Sequence, residues 1–322
     1  MRNSPDQCRF ELVEGWGSAW VPDDAAGVGV DSEDRVYVLS RAKERPVVVL
    51  DHEGNFVRSW GTGLFKRPHA LFVGPRDFIY IVDDQGHSVQ KFTPGGRRLL
   101  EISTADKPAD TGYVPGILSS VARSGPPFNL PTGVALSPEG HIIVSDGYGN
   151  ARIHRFAADG KLIRSFGEPG SGPGQFLVPH GAAVDSEGRI YVADRENSRV
   201  QVFTPESSFL AEWRAPRASN LLIDAGNRIF VAEMGEVIQG PPGRKWMVPS
   251  NACPRITVRN LAGEILAELL PRDPDGEGLF FSPHSLAMDS AGNLYVSEVS
   301  DSFTGGLAPK NRPRLHKYVR GS

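Results

Sequence analysis

One stretch of sequence recurs six times, and this repetition limits the possible fold more than any other feature. "PHGAAVDSEGRIYVADRENSRVQVF" (residues 179–203) aligns with "PTGVALSPEGHIIVSDGYGNARIHRF" (131–156) and with "PHALFVGPRDFIYIVDDQGHSVQKF" (68–92). Further copies begin near residues 25, 218 and 283. Internal repeats of this length are typical of propellers and solenoids, in which each repeat packs on its neighbours.

Each copy contains four short apolar runs separated by polar turns such as "DSEGR" and "DSAGN". Short runs rich in Val, Ile, Tyr and Phe between Asp/Gly turns predict antiparallel strands. A helical repeat is disfavoured because no apolar period of 3.6 residues is sustained over about twelve residues. The sequence therefore predicts an all-β, six-bladed β-propeller that forms a single domain over residues 1–322. The blades are predicted to start near residues 25, 68, 131, 179, 218 and 283.

The sixth copy ends at "HKYVRGS" and lacks a fourth strand. The segment "RFELVEGWG" (9–17) resembles "NFVRSWG" (55–61), the fourth strand of the first copy. We expect residues 9–17 to complete the sixth blade, which would leave fewer strand edges exposed.

Histidine occupies one repeat position in every second blade. The position after the Pro or Ala that opens each copy holds, in order, Ala26, His69, Thr132, His180, Ser219 and His284. Side chains from alternate blades can converge on the axis of the ring. Three neutral imidazoles facing one point form a three-coordinate site with an open position, typical of catalytic zinc. The alternative is a polar channel without metal, in which packed imidazoles would be poorly satisfied.

The end of the second strand lies on the same face as these histidines. Arg41, Tyr148 and Arg195 stand there and are predicted to surround the metal. Arginine offers a planar fork that suits a carboxylate, and a tyrosine beside a divalent cation can act as a general base.

Other polar residues receive structural interpretations. The acidic residues that recur after strand two are expected to hold turns or join blades by hydrogen bonds: Asp83, Asp146 and Asp194. The remaining histidines are expected to be ordinary surface residues: His52, His87, His141, His154 and His316. Three long insertions, 103–130, 234–254 and 300–313, fall on the histidine face and are candidate lids.

Composition excludes several classes of function. Lys+Arg 35 against Asp+Glu 38 gives a formal net charge of −3, which does not favour nucleic acid or an acidic membrane surface. No apolar run is long enough to cross a bilayer, and the N-terminus lacks the apolar region of a signal peptide. Cys8 and Cys253 are expected to be unpaired structural residues of a cytoplasmic protein.

The motifs "SDGYGNARI", "PGQFLVPH" and "VADREN" within residues 144–203 resemble the peptidyl-α-hydroxyglycine α-amidating lyase family, propellers built from NHL-type repeats. Weaker similarity spans nearly the whole chain. The resemblance implies a metal-dependent carbon–nitrogen lyase that cleaves a carbinolamide, R–CO–NH–CH(OH)–COOH, to an amide and glyoxylate. It implies zinc on His69, His180 and His284, with catalytic roles for Tyr148 as base and for Arg41 and Arg195.

The chain departs from the family at several positions. The family carries a structural calcium, whose backbone-carbonyl ligands would match Val28 and Leu71, but Ser285 stands where a further Asp ligand is expected. Family disulfides are missing, because Gly149, and the pair Tyr191 and Val202, occupy cysteine positions. These differences fit a bacterial-type cytoplasmic protein whose substrate need not be a peptide.

Alternatives remain open from sequence alone. They are a zinc-dependent lyase or hydratase acting on another small metabolite, a non-catalytic NHL-repeat binding scaffold, and a hydrolase of the lactonase kind. Lactonase sites usually place carboxylates and Asn around calcium, whereas this axis offers histidines. The expected ligand is a small or peptide-derived substrate with a carboxylate, rather than nucleic acid or a membrane.

Overall fold

The computed structural model describes residues 9–21, 23–104, 107–235, 237–239, 245–247, 254–269, 280, 282–306 and 312–321. Six four-stranded sheets contain most of the strand residues, and all their strand pairs are antiparallel. The fold is an all-β, six-bladed propeller, as predicted.

Strand bounds follow the repeats. Blade 1 contains β2 (Ala25–Val30), β3 (Val36–Ser40), β4 (Val47–Leu50) and β5 (Phe56–Trp60); blade 2 contains β6 (Pro68–Val73), β7 (Ile79–Asp83), β8 (Ser88–Phe92) and β9 (Arg98–Ser103). Blade 3 contains β10 (Gly133–Leu136), β11 (Ile142–Asp146), β12 (Arg152–Phe156) and β13 (Leu162–Phe166); blade 4 contains β16 (Pro179–Val184), β17 (Ile190–Asp194), β18 (Arg199–Phe203) and β19 (Phe209–Arg214). Blade 5 contains β20 (Ala218–Ile223), β21 (Ile229–Glu233), β24 (Arg255–Arg259) and β25 (Ile265–Leu269); blade 6 contains β26 (Pro283–Met288), β27 (Leu294–Glu298), β28 (Leu315–Arg320) and β1 (Phe10–Val13).

Smaller elements decorate the ring. Two-stranded pairs are formed by β14 (Glu168–Pro169) with β15 (Gln175–Phe176) and by β22 (Val237–Gln239) with β23 (Lys245–Met247). The short helix α1 (Ser300–Thr304) follows β27. Within the described ranges, no helix is long and apolar enough to cross a membrane.

An aspartate after strand one fixes the turn to strand two in several blades. In blade 4, Asp185 accepts hydrogen bonds from the backbone amides of Glu187 and Arg189 and from the Tyr191 hydroxyl. A carboxylate that accepts amides two and four residues ahead closes a tight turn locally. The Asp-led turn, as in "DSEGR" and "DSAGN", therefore determines where the inner hairpin reverses in these blades.

Apolar side chains pack between blades. Six clusters of buried residues occur in the described structure, each formed by neighbouring blades. Between blades 3 and 4, for example, Ile153 packs with Phe176, Val192 and Phe203. Because each cluster is shared, burial of apolar area holds adjacent blades together and gives the ring rigidity.

The N-terminal strand closes the ring. β1 pairs with β28 from Phe10↔Arg320 to Val13↔Lys317. Trp16, just beyond β1, packs on Tyr295 of blade 6 with ring centroids 5.0 Å apart and donates its indole N–H to the His52 carbonyl of blade 1. The first segment thus completes blade 6 and also fastens it to blade 1.

Two of the histidines expected at the surface are buried. His154 in β12 lies 3.3 Å from the Asp146 carboxylate, and His316 in β28 lies 2.7 Å from that of Glu298. Gln201 and Thr257 make the equivalent contact in blades 4 and 5. The surface interpretation of His154 and His316 was wrong. The rings of Phe128 and Phe280 pack on them, with centroids 5.5 Å away, and the polar position of strand three bonds the acidic residue that ends strand two.

That acidic residue has the structural role predicted for it. Asp83 accepts the backbone amides of Lys66 and Arg67, and Asp194 accepts the amide of Leu177. The carboxylate therefore ties the segment that enters a blade to the end of its second strand.

Candidate active site

Each candidate metal-ligand histidine lies at a β-bulge. The pairing of β6 with β7 passes from Pro68 to Ala70 and leaves His69 out of the ladder. The same shift occurs around His180 in β16 and around His284 in β26. A bulge re-aims one side chain without ending the strand. The repeat thus turns the histidine out of the regular alternation of the sheet.

The three histidines converge. Their ring centroids are 4.9 to 5.0 Å apart, and their ligand nitrogens all lie within 4.8 Å of one another. All three side chains are buried. The structure therefore brings together His69, His180 and His284 as one cluster that could hold a metal ion.

Backbone carbonyls of the intervening blades orient the rings. Nδ1 lies 2.8 Å from the Thr132 carbonyl in His69, from the Ser219 carbonyl in His180, and from the Ala26 carbonyl in His284. A carbonyl can only accept, so each Nδ1 carries the proton and each Nε2 presents a lone pair. Metal-binding histidines are oriented in this way by a partner on the other ring nitrogen.

The environment keeps these rings neutral. Burial lowers the pKa of His284 to about 3. Burial, followed by the charges of nearby imidazoles and arginines, also holds the pKa values of His69 and His180 well below 6.5. Neutral imidazole is the form that binds metal. Three neutral nitrogens facing one point fit a divalent ion such as Zn²⁺ and leave a further coordination position open.

Tyr148 reaches the same point from blade 3. Its hydroxyl oxygen is 3.0 Å from Nε2 of His69 and 3.3 Å from Nε2 of His180. Nη1 of Arg195 is 3.5 Å from that oxygen, and the guanidinium carbon lies 5.4 Å from the tyrosine ring centroid. The structure thus places Tyr148 and Arg195 beside the histidine cluster.

A repeated backbone hydrogen bond presents these residues at the rim. A residue one or two positions after strand two donates its amide to the carbonyl of the residue two positions before the histidine register. The bond joins Arg41 to Asp24, Tyr148 to Leu130, and Arg195 to Val178. The same backbone hydrogen bond, which recurs from blade to blade, therefore holds all three predicted rim residues.

A cavity of about 870 Å³ opens over the cluster. His284, Tyr148, Arg41 and Arg195 line it. Sequence reasoning missed several other lining residues: Arg67, His87, Tyr113, Leu118, Glu196, Arg217, Met234 and Phe303. The cavity lining therefore combines four arginines with apolar and aromatic side chains.

Arg67 and Arg217 have a positional signal that could have revealed them. Both stand two residues before the histidine register, in "RPH" and in "RAS". They enter the rim from the start of strand one, whereas Arg41 and Arg195 enter from the end of strand two. The prediction considered only the second of these positions.

The insertions contribute to the cavity unequally. The segment from residue 107 to 130 supplies Tyr113 and Leu118, and α1 supplies Phe303. Most of the insertion 234–254 lies outside the described residues, as do Cys8 and Cys253. A lid role for these segments stays a prediction.

The axial channel on the other side of the histidines does not fit calcium. Val28 and Leu71 line a cavity of about 230 Å³ there, together with Ser285 and Asn220. The Val28 amide lies 3.3 Å from the Ser285 hydroxyl oxygen and donates to it. Among the described lining residues there is no carboxylate, the ligand type on which protein calcium sites depend.

Two segments of the chain match a known repeat family. A family model described as "NHL repeat" matches residues 128–156 and 176–203, which cover most of blades 3 and 4. The chain is an NHL-repeat β-propeller. All six blades are four-stranded sheets, including those outside the two matched segments.

Two curated relatives are similar to this NHL-repeat propeller over most of its length. "NHL repeat-containing protein 3" of Mus musculus is 29% identical over 315 residues, covering 90% of this chain and 81% of that protein. "Peptidyl-alpha-hydroxyglycine alpha-amidating lyase 1" of Drosophila melanogaster is 30% identical over 302 residues, covering 87% of this chain. The propeller spans 50% of that lyase's length. Its homologues therefore include amidating lyases.

A crystal structure of virginiamycin B lyase from Staphylococcus aureus resembles the propeller with a TM-score of 0.55. The match covers 90% of this chain and 82% of the other, at 15% sequence identity. This likeness supports the fold alone.

Proposed function

We propose that this NHL-repeat propeller is a zinc-dependent carbon–nitrogen lyase that cleaves a carbinolamide to an amide and glyoxylate. The observation that carries the proposal is the meeting of three neutral imidazoles and the Tyr148 hydroxyl beneath a cavity rimmed by arginines. The amidating lyases among its relatives support it.

His69, His180 and His284 would hold the metal through Nε2, because Nδ1 of each donates to a carbonyl. A divalent ion on three neutral imidazoles supplies Lewis acidity, which makes a substrate hydroxyl easier to deprotonate. The chemistry of this donor set favours zinc over the hard cations, which prefer oxygen ligands.

Tyr148 is the proposed proton carrier. Acting as the phenolate, its oxygen takes the proton of the carbinol hydroxyl, the carbonyl forms at that carbon, and the electron pair of the breaking C–N bond goes to nitrogen. The same proton then completes the amide N–H, so the two products contain all the atoms of the substrate. Arg195, 3.5 Å from the tyrosine oxygen, is in place to stabilise negative charge there. The step consumes no water and no redox equivalents.

The cavity suits the two ends of such a substrate. Arg41 and Arg195 are candidates for binding the carboxylate, since a guanidinium matches its two oxygens. Tyr113, Leu118 and Phe303 offer apolar surface for an acyl group. Fixing both ends would hold the scissile bond beside the histidines and Tyr148.

The decisive experiment measures glyoxylate and benzamide released from α-hydroxyhippurate by the zinc-loaded protein. We expect stoichiometric release of both products. The control variant is His141→Ala, which should release both products as wild type does. His141 bonds Arg155 in blade 3 and does not line the cavity. A protein that binds zinc stoichiometrically but releases no glyoxylate would point to another small-metabolite lyase or hydratase. Protein prepared without chelators that contains no metal would favour a non-catalytic scaffold.

A further inference from the structure

The charges around the cavity are unevenly balanced. On the side of blades 1 and 2, each arginine has its own carboxylate. Nε of Arg67 lies 2.7 Å from Asp84, and Nη1 of Arg41 lies 3.3 Å from Asp24. Arg41 also contacts the Ser302 hydroxyl of α1. A carboxylate therefore balances the charge of each of these two guanidiniums, although Nε of Arg41 is enclosed without a partner in the described structure.

Blades 4 and 5 present the opposite situation. Nε of Arg195 and Nη2 of Arg217 both donate to the same oxygen, Oε1 of Glu196, at 2.9 Å. Two guanidiniums therefore share one carboxylate, which leaves one positive charge in excess. Both arginines and Glu196 line the large cavity.

Arg217 also has unused donors. In the described structure, its Nε and Nη1 have no hydrogen-bond partner although both atoms are enclosed. The ring of Phe303, 5.6 Å from the guanidinium carbon, covers one side of the group. Burial and the neighbouring Arg195 lower the pKa of Arg217, but an arginine remains charged in a protein. Enclosed donors without partners are unfavourable, so an incoming anion would relieve that cost.

The backbone holds Arg217 in register with the metal cluster. Its carbonyl accepts the amide of Met234, the blade 5 copy of the rim hydrogen bond. Two residues later, the Ser219 carbonyl orients His180. Arg217 and a metal-orienting group are therefore parts of one short segment, which would keep a bound anion at a fixed distance from the cluster.

We propose that Arg195 and Arg217 together bind the substrate carboxylate, and that Glu196 is the positioning residue that holds the two guanidiniums side by side. The inference rests on the proposed function for the identity of the anion, a carboxylate on the carbon that carries the hydroxyl group. Arg217, which lies just before strand one of blade 5, would therefore make the site prefer carbinolamides that carry a carboxylate over neutral ones.

The test separates binding from turnover. Titration calorimetry of the zinc-loaded protein would use hippurate, which has the carboxylate but lacks the hydroxyl, and hippuramide, in which the carboxylate is a neutral amide. Wild type is expected to prefer hippurate. Arg217→Met should weaken hippurate binding by roughly 10- to 100-fold, as expected for losing a charge-assisted hydrogen bond, and leave hippuramide binding unchanged. Arg164→Met is the control, because Arg164 is exposed on β13 and bonds the Glu206 carbonyl.

Several outcomes would overturn the inference. They are a wild type without preference for hippurate, an Arg217→Met variant with wild-type hippurate affinity, and equal losses of both ligands. Should Arg217→Met fail to fold, Arg217→Lys keeps the charge without the fork and is expected to lose part of the preference; full preference there would also contradict it. Carboxylate-dependent binding through Arg217 without glyoxylate release would remove the proposed reaction but leave the anion site standing.

Discussion

The even-numbered and odd-numbered blades use the same backbone position for different purposes. Blades 2, 4 and 6 place a histidine at the repeat position that opens strand one, whereas blades 1, 3 and 5 place Ala26, Thr132 and Ser219 there. The carbonyls of these three residues accept the Nδ1 protons of the histidines. The candidate metal site is therefore a property of all six blades: three supply the histidines, and three supply the carbonyls that orient them.

The odd blades also bond back to the even ones. The Thr132 hydroxyl donates to the Pro179 carbonyl at 2.8 Å, and the Ser219 hydroxyl donates to the Pro283 carbonyl at 2.7 Å. Ala26 has no hydroxyl, so blade 1 cannot make this bond to blade 2. A side-chain hydroxyl therefore links blade 3 to blade 4 and blade 5 to blade 6, whereas blades 1 and 2 lack this link.

The largest effect is expected from an even-blade ligand. His180→Ala should abolish stoichiometric metal and lower kcat/KM by at least about 1000-fold, because Lewis-acid assistance is worth several kcal/mol. Metal analysis beside steady-state kinetics checks this. Retention of one metal per chain by the variant would show that the cluster is not the ligand set.

Tyr148→Phe tests an odd-blade residue that contacts two even-blade histidines. We expect unchanged metal content and a kcat lower by about 100- to 10,000-fold, the usual contribution of a positioned acid or base. Single-turnover rates of the metal-loaded variant measure the chemical step directly. Full turnover with zinc in place would remove Tyr148 as proton carrier.

A pH titration of the metal-free protein tests the neutrality of the even-blade imidazoles. Their folded-state pKa values lie below the unfolded value of about 6.5, with that of His284 at about 3. The unfolded chain therefore takes up protons first, and the free energy of unfolding should fall as the pH decreases below about 6.5 toward 3. Urea unfolding at several pH values measures this slope.

His284→Gln should make that dependence shallower, because one buried imidazole no longer resists protonation. His52→Gln provides the control, since His52 is exposed. An unchanged slope in His284→Gln would contradict the assignment of the pH dependence to the cluster.

The smallest effect is expected from the odd-blade hydroxyls. Ser219→Ala and Thr132→Val each remove one buried hydrogen bond and should cost about 1 kcal/mol of unfolding free energy. Because the orienting groups are backbone carbonyls, metal affinity should fall by less than the roughly 10- to 100-fold seen when a side-chain partner of a ligand is removed. Competition with a chromophoric chelator measures it. A loss as large as that of His180→Ala would show that orientation matters as much as ligation.

Most of the fold and the three histidines could be predicted from the repeat, because its strands and turns recur at fixed offsets along the sequence. The orienting carbonyls could not be predicted, since a backbone group leaves no residue signature. Arg217 was missed because its side-chain direction depends on the turn that enters strand one, and Glu196 was overlooked beside Arg195 in "REN". The burial of His154 and His316 was not predicted because the alternation in strand three does not reveal that Phe128 and Phe280, from segments outside the sheets, pack on them.

Ring closure by β1 has a consequence for how the protein folds. Blade 6 is finished only when β28 pairs with β1, and the other five blades lie between these two strands in the sequence. His284 and the Ala26 carbonyl that orients it are separated in the same way. Contacts of such long sequence separation are slow to form, so the candidate metal site is complete only once blade 6 has met blade 1. Metal binding at all three histidines would thus report that the ring is closed.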